Sequence, residues 1–286
     1  MKGIVMTVVG IGCVTLNDAL MKLVVDDVPV SQAIGLRGLF ALLPVLFMTF
    51  RAGGLYALRV HSVAAHVGAA VLLAAPIFVY IYSLTVLPLS IATIIFFTNP
   101  LFVAVLAPLV LRERLGRGRV AAVLLGFAGA ALVVNPTGAQ FSVVLMLPLL
   151  VALLSGLREI VIRGSIHNET SVALMFYSTT LVAVLGLAAG AFVWVPMSGE
   201  DLLILALAAI AFTGGIYFMT EGLRYGDASL MAVFKYSGIV WSLLLGFALW
   251  GEVPSALTWV GTALIVVSGV YTVLRHASAA PDPTRP

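Results

Sequence analysis

The chain has 286 residues, of which 62% are hydrophobic and only 9% charged, with a formal net charge of +3 at pH 7. Soluble domains are roughly 45–50% apolar and about 25% charged, so this composition excludes a soluble protein. No basic patch is interleaved with aromatic residues, so nucleic acid is not an expected partner, and the single cysteine, Cys13, rules out a disulfide framework. We expect a protein embedded in a lipid bilayer.

Ten apolar segments follow one another along the chain, and a membrane-spanning helix needs about 20 such residues. The predicted spans are residues 3–24, 31–50, 62–86, 90–111, 119–135, 141–162, 171–194, 202–223, 228–250 and 255–274. The loops between them hold only a few residues, too few for a soluble catalytic domain. The tail 277–286 contains three prolines and is predicted to be disordered. The predicted fold class is an all-α integral membrane protein.

The basic residues indicate how the spans are oriented. Eleven of the fifteen fall on one predicted side: Lys2, Arg51, Arg59, Arg112, Arg114, Arg117, Arg119, Arg163, Arg224, Arg275 and Arg285. The opposite loops, around 25–30, 87–89, 136–140, 195–201 and 251–254, contain no Lys or Arg. Because cytoplasmic loops are enriched in Lys and Arg, we predict that both termini are cytoplasmic.

The chain contains an internal repeat. Residues 88–116 align without a gap on residues 227–255, which places Asn99 on Gly238 and Glu113 on Glu252. Five spans in each half would invert the second half relative to the first, an arrangement typical of secondary transporters whose substrate site lies near mid-membrane. The predicted domains are a first repeat over 1–139, an inverted second repeat over 140–276 and a tail over 277–286.

Ionisable residues inside spans are candidates for function, because each costs about 2.5–3.5 kcal/mol at a helix centre. Lys235 lies deep in the ninth span and is predicted to bind a substrate carboxylate, with a structural ion pair as the alternative. Arg37 suits the same role, or pairs with Asp18. Asp18 and Lys22 have the i, i+4 spacing of a local ion pair, and Asp18 is also a candidate proton-coupling group. Asn17 is expected to line the cavity.

Two spans contain residues that weaken a helix. Pro100 cannot donate a hydrogen bond to the carbonyl of Phe96, and a free carbonyl at membrane depth must face protein or a wet cavity. The fourth span is therefore predicted to be a kinked, cavity-lining helix at Asn99-Pro100, unless the kink serves packing alone. Pro100 and Gly238 are predicted hinges. Glu221, near the end of the eighth span, is either part of an inner gate or a partner of Arg224.

Several aromatic residues are predicted to surround the substrate's side chain: Tyr80, Tyr82, Phe97, Tyr236 and Trp241. The pair Arg158-Glu159, about one turn from the cytoplasm, is expected to be interfacial. The sequence contains no Walker motif, nucleophile elbow or His/Cys cluster with metal spacing. We therefore expect neither ATP-driven transport nor a metal site, and we expect no cofactor.

The repeated block resembles the EamA domain of the drug/metabolite transporter superfamily. The residues that carry this resemblance are Pro88, Asn99-Pro100-Leu101-Phe102, Leu111-Arg112-Glu113-Arg114, Gly126 and Gly129, with Leu249-Trp250-Gly251-Glu252, Gly261 and Gly269 in the second copy. The resemblance implies a basket of ten helices around a central cavity that works by alternating access. It also implies that Glu113 and Glu252 are structural, and bacterial aromatic amino acid exporters are similar in length and layout.

The sequence and this resemblance thus favour a secondary transporter in a bacterial inner membrane that exports small metabolites, above all amino acids with aromatic or bulky apolar side chains. Asn17, Asn99 or Asp18 is expected to contact the amine of such a substrate. Uptake of a nucleoside-like metabolite such as S-adenosylmethionine is an alternative within the same architecture. A lipid-modifying enzyme that uses Asp18, His66 or Glu159, or a non-transporting scaffold, are alternatives from other classes. Protons are a candidate coupling ion through Asp18, Glu159 and Glu221, and we expect a monomer or a weak dimer.

Overall fold

The computed structural model describes residues 1–51, 53–58, 63–111, 117–135, 142–165, 171–225 and 228–279. Within these residues the chain forms twelve α-helices, three short 3-10 segments and no strand. The α-helices are α1 (Lys2–Val24), α2 (Val30–Arg51), α3 (Val63–Leu84), α4 (Leu89–Phe96), α5 (Asn99–Leu111), α6 (Arg117–Val134), α7 (Met146–Ser165), α8 (Ser171–Gly190), α9 (Gly199–Gly222), α10 (Ala228–Phe234), α11 (Ser237–Trp250) and α12 (Ala256–Ala279). The 3-10 segments are Gly54–Leu58, Val143–Leu145 and Leu223–Tyr225.

The helices are long and apolar enough to make this a multi-pass membrane protein. Among the described residues, seven segments have the length and composition of a membrane span. Three further apolar helices within the same residues are shorter, at 74–84, 120–134 and 175–190. Each predicted span contains helix, although α8 already ends at Gly190 and α12 continues to Ala279, into the predicted tail. Residues 280–286 of that tail lie outside the described residues.

Two predicted spans are each interrupted into two helices rather than kinked. The first ends at Phe96 and resumes at Asn99, which places Pro100 in the first turn of α5, where the missing N–H costs nothing. The second break contains no proline. The backbone turns there through hydrogen bonds to the residue three positions earlier. Tyr236 N–H donates to the Val233 carbonyl at 3.1 Å, and Gly238 N–H donates to the Lys235 carbonyl at 2.9 Å.

The helices pack in pairs that join the first half of the chain to the second. The largest contacts are those of α1 with α9, α2 with α8, α12 with α6 and α3 with α7. Glycines allow two of these pairs to approach backbone to backbone. A Cβ on Gly35 would lie 2.8 Å from the Gly186 carbonyl carbon, and one on Gly129 would lie 2.7 Å from the Gly261 carbonyl oxygen. Small residues at such positions are the usual means of close helix packing in membranes.

The turn after α8 is fixed by a buried amide. Gln32 is fully buried, and its side chain donates to the Val195 carbonyl at 2.9 Å and accepts from the Val195 N–H at 3.0 Å. This pair of bonds satisfies backbone groups that no helix satisfies. Farther along, Ser198 and Asp201 form a capping box at the start of α9.

Candidate substrate site

A buried guanidinium lies between α1, α2 and α9. Arg37 is 4% exposed, and its Nη1 donates to the Asn17 Oδ1 at 3.1 Å. Its guanidinium carbon lies 4.6 Å from the centre of the Phe212 ring, which gives a cation–π contact. The Nε of Arg37 is buried and has no hydrogen-bond partner in the part of the chain that the structure describes. This cation therefore retains a donor that a bound acceptor could use.

Asn17 joins the guanidinium to an acid. Its Nδ2 donates to the Asp18 Oδ1 at 2.9 Å, while Asn17 itself is 2% exposed. Asp18 remains half-buried rather than buried, and it lies within electrostatic range of both Arg37 and Tyr80. A cation, an amide and a carboxylate thus stand side by side within the membrane-spanning part of the protein.

A row of four rings runs from this polar group to the second helix break. The centres of Tyr80 and Phe96 lie 5.8 Å apart, those of Phe96 and Phe97 lie 6.0 Å apart, and those of Phe97 and Tyr236 lie 5.1 Å apart. The Tyr80 hydroxyl shares a hydrogen bond with the Thr93 hydroxyl at 3.1 Å. The row provides an apolar, ring-lined surface next to the charged groups.

Lys235 lies at the far end of this row, in the break between α10 and α11. It is half-buried, and its side chain makes no hydrogen bond or ion pair to the residues that the structure describes. Its neighbour Tyr236 is 7% exposed. Position 238 has room only for a glycine, because a Cβ there would lie 2.8 Å from the Phe97 ring and 3.0 Å from Ile11. Gly238 therefore makes room for the stack between the two breaks.

Three of the predicted site residues lie elsewhere or are already engaged. Trp241 packs across Gly12 and donates from Nε1 to the Val8 carbonyl at 3.1 Å, so it joins α11 to α1. Tyr82 is 54% exposed and borders a shallow groove on the outside of the helices. Asn99 donates from Nδ2 to the Ala152 carbonyl at 3.1 Å, which joins α5 to α7.

The expected intramembrane ion pairs do not form. The Lys22 ammonium donates to the carbonyls of Leu84 and Leu87 instead of to Asp18, and Arg37 donates to Asn17 instead of to Asp18. Tertiary packing brings backbone carbonyls to Lys22 and the Asn17 amide to Arg37. Arg37 is left without an ion pair to a described residue. Glu221 does pair with Arg224, at 3.2 Å.

Three further residues named in the sequence analysis are Arg158, Glu113 and His66. The Nε of Arg158 is buried without a hydrogen-bond partner among the described residues, and Glu159 lies within electrostatic range of this guanidinium. Glu113 and the side chain of His66 lie outside what the structure describes. Within the described residues no group of three or more His, Cys, Asp or Glu side chains could hold a metal ion.

Two features of the site escaped the sequence analysis. Phe212, which packs on Arg37, lies in a uniformly apolar stretch of α9 that gives no signal. The partners of Glu252, which the resemblance gave as structural, also escaped: it accepts three hydrogen bonds from Leu89 and Ser90, which lie 163 and 162 residues earlier in the chain. The repetition of this glutamate as Glu113 in the first half was the sequence signal that Glu252 has a structural role. A concavity of about 430 Å³ lies beside Glu252 rather than at Arg37.

Sequence comparison accounts for the repeated halves. The sequence model described as the EamA-like transporter family matches residues 1–135 and again residues 141–274. The chain belongs to this family. Members of the EamA family are transporters of the drug/metabolite type rather than enzymes, so this chain is a multi-pass membrane transporter of small molecules.

Relatives within the EamA family carry different substrates. The chain is 24% identical over 69% of its length to an S-adenosylmethionine uptake transporter of Rickettsia felis, covering 67% of that protein. It is 27% identical over 93% of its length to a pseudopaline exporter of Pseudomonas aeruginosa, covering 94% of it. It is 30% identical over 76% of its length to a riboflavin transporter of Rhizobium johnstonii, covering 72% of it.

A solved crystal structure has the same fold. It superimposes on 96% of this EamA chain with a TM-score of 0.65, at 21% sequence identity, and 98% of the solved chain is covered. The likeness at this identity concerns the fold alone. The family match and the helices together establish the transporter role, while the range of substrates among the relatives leaves the cargo to be argued from the site.

Proposed function

We propose that this protein exports small zwitterionic metabolites, above all amino acids with aromatic or bulky apolar side chains, across the bacterial inner membrane by alternating access. The observation that carries the proposal is Arg37. A buried cation without an ion pair to any described residue is costly unless something compensates its charge. A substrate carboxylate would do so, since a guanidinium binds carboxylates through two parallel N–H donors.

The neighbouring groups suit the rest of an amino acid. The Nε of Arg37 is free to donate to the carboxylate, and the half-buried Asp18 can accept from the ammonium group. The ring row from Tyr80 to Tyr236 offers a surface on which an aromatic or bulky side chain can stack. Lys235, which has no described partner, is a second cation that attracts the carboxylate along the row.

The architecture that we propose is two inverted five-span halves, over 1–139 and 140–276, with both termini in the cytoplasm. Two observations support it. The first is that the family model matches the chain twice. The second is that equivalent helices make equivalent contacts: α1 of the first half packs on α9 of the second, and α7 of the second half packs on α3 of the first. In this arrangement the broken spans α4–α5 and α10–α11 are repeat-related and would flex as the halves rock.

The proposal can be tested by counterflow of labelled amino acids into proteoliposomes. Saturable flux of phenylalanine or leucine is expected, and Arg37→Ala should abolish it. Arg51→Ala is the matched control, because Arg51 lies on the same helix and also over a ring, Phe47 at 5.8 Å, but is exposed at the helix end. Equal loss in both variants, or amino acid flux that survives Arg37→Ala, would contradict the site.

Uptake of S-adenosylmethionine is a second candidate. The relatives from Rickettsia are uptake transporters for this compound, which combines an amino acid headgroup with a flat adenine ring. The same Arg37 and ring row would serve it. S-adenosylmethionine belongs in the counterflow panel, and flux of this compound without flux of amino acids would replace the exporter proposal.

A further inference from the structure

Glu252 connects the end of one broken span to the start of the other. Gly251, at φ +66°, ends α11 in a left-handed turn, with bonds from Gly251 N–H to the Phe247 carbonyl at 2.9 Å and from Glu252 N–H to the Gly246 carbonyl at 3.1 Å. The turn directs the Glu252 side chain to the first turn of α4. Its carboxylate accepts from Leu89 N–H at 2.7 Å, Ser90 N–H at 2.9 Å and Ser90 Oγ–H at 2.6 Å.

Lys22 adds two more elements to this junction. It lies in the last turn of α1 and is 9% exposed. Its ammonium donates to the carbonyls of Leu84 and Leu87 at 2.7 Å each. The same ammonium lies 5.4 Å from the centre of the Trp250 ring at the end of α11. Glu252 and Asp26 both lie within its electrostatic range. We call Lys22, Ser90, Trp250 and Glu252 the Lys22–Glu252 cluster.

The Lys22–Glu252 cluster joins three elements of the first half, α1, α3 and α4, to α11 of the second half. The cluster lies beside the loops 25–30, 87–89 and 251–254, which contain no Lys or Arg. The concavity of about 430 Å³ borders it through Ser90 and Glu252. A space large enough for a small metabolite thus adjoins a contact that fastens one half to the other.

We propose that the Lys22–Glu252 cluster is the gate that closes the transport pathway on the membrane side opposite the basic loops. This inference rests on the proposed function, because alternating access requires the halves to separate there. Opening would withdraw α11 from α4, so that Glu252 leaves the Leu89 and Ser90 donors and Lys22 parts from Trp250. Both charges lie at helix ends, where water can replace the lost partners, unlike the deeply placed Arg37.

Distance measurements between spin labels test the gate without any substrate. In a Cys13→Ser background, labels at Asp27→Cys and Val253→Cys occupy exposed positions on either side of the cluster. Glu252→Ala should raise the population of the longer distance about tenfold, because three hydrogen bonds to a charged group are lost. Glu252→Gln keeps the side-chain shape and should produce a smaller shift in the same direction, which covers the case in which the alanine variant does not fold.

Glu200→Gln is the matched control, since Glu200 is an exposed acid in the first turn of α9 on the same predicted side. It should leave the distances unchanged. Unaltered distances in both Glu252 variants would overturn the gate, and so would an equal shift in Glu200→Gln.

A cross-link tests whether the cluster must open during transport. Ser90→Cys and Glu252→Cys, joined by a short reducible bifunctional thiol reagent, should stop flux, and a reductant should restore it. Full flux with the cross-link in place would mean that Glu252 is a static helix cap. If no amino acid is transported but the label distances still shift, the gate stands and the substrate assignment fails. If amino acids are transported and neither assay responds, the gate fails alone.

Discussion

Phe97 and Tyr236, which stand 139 positions apart at matching places in the two repeats, stack with their ring centres 5.1 Å apart. The Tyr236 hydroxyl points to the Phe97 carbonyl at 3.5 Å and is tucked against Gly269 of α12. Each ring belongs to a residue inside a helix break. The stack therefore joins the two interrupted spans at the place where we expect the halves to pivot.

Gly238→Ala should disturb this stack. A Cβ there would lie 2.8 Å from the Phe97 ring, so the ring must shift, and overpacking of this kind costs about 1–3 kcal/mol. We expect a lower midpoint of thermal unfolding in detergent and slower transport. Gly214→Ala is the control, because a Cβ at Gly214 meets nothing within 4 Å. Equal midpoints for the two variants would argue against the packing role of Gly238.

Lys235→Ala should separate function from stability. The side chain of Lys235 makes no hydrogen bond or ion pair with a described residue, so its loss should change the free energy of unfolding by no more than about 0.5 kcal/mol. Amino acid flux should nevertheless fall by about tenfold or more, because the carboxylate loses a cation. Lys2→Ala, at the exposed N-terminus, should alter neither. A large loss of stability in Lys235→Ala would instead indicate a structural ion pair.

Gln32→Ala should loosen the turn after α8. The substitution leaves the half-buried Val195 N–H and carbonyl without their partner, at a cost of about 1 kcal/mol or more. We expect a lower unfolding midpoint and faster hydrogen exchange over residues 191–198. Ser31→Ala, on the preceding residue, is the comparison and should leave exchange there unaltered. Slow exchange retained in Gln32→Ala would show that other contacts hold the turn.

Much of the helical layout was predictable because it follows from local composition. Apolar segments of about 20 residues predicted the helices, and the repeated block predicted the transporter family. The proline at position 100 predicted a kink in the fourth span, where the structure has an interruption at residues 97–98. The second interruption, at Lys235–Tyr236, has no proline, and its exact place depends on the stack with Phe97. The ten-span inverted arrangement and the roles of individual site residues stay predictions.

The partners of the buried charges were not predictable. Asp18 and Lys22 have the spacing of an ion pair, yet Lys22 bonds carbonyls 62 and 65 residues away. Glu252 finds its donors 162 and 163 residues away. Spacing along one helix indicates which side chains can meet, whereas the partner that wins is decided by which elements the tertiary fold brings to that helix end.

The measurement that tests the central claim most directly is binding of phenylalanine and of phenethylamine, which lacks the carboxylate, to purified wild-type protein and Arg37→Ala. If Arg37 binds the carboxylate, the wild type should bind phenylalanine at least about tenfold more tightly than phenethylamine, since charge-assisted hydrogen bonds would be lost with the carboxylate. Arg37→Ala should lose that preference. A preference that persists unchanged in Arg37→Ala would contradict the assignment of Arg37 as the carboxylate site.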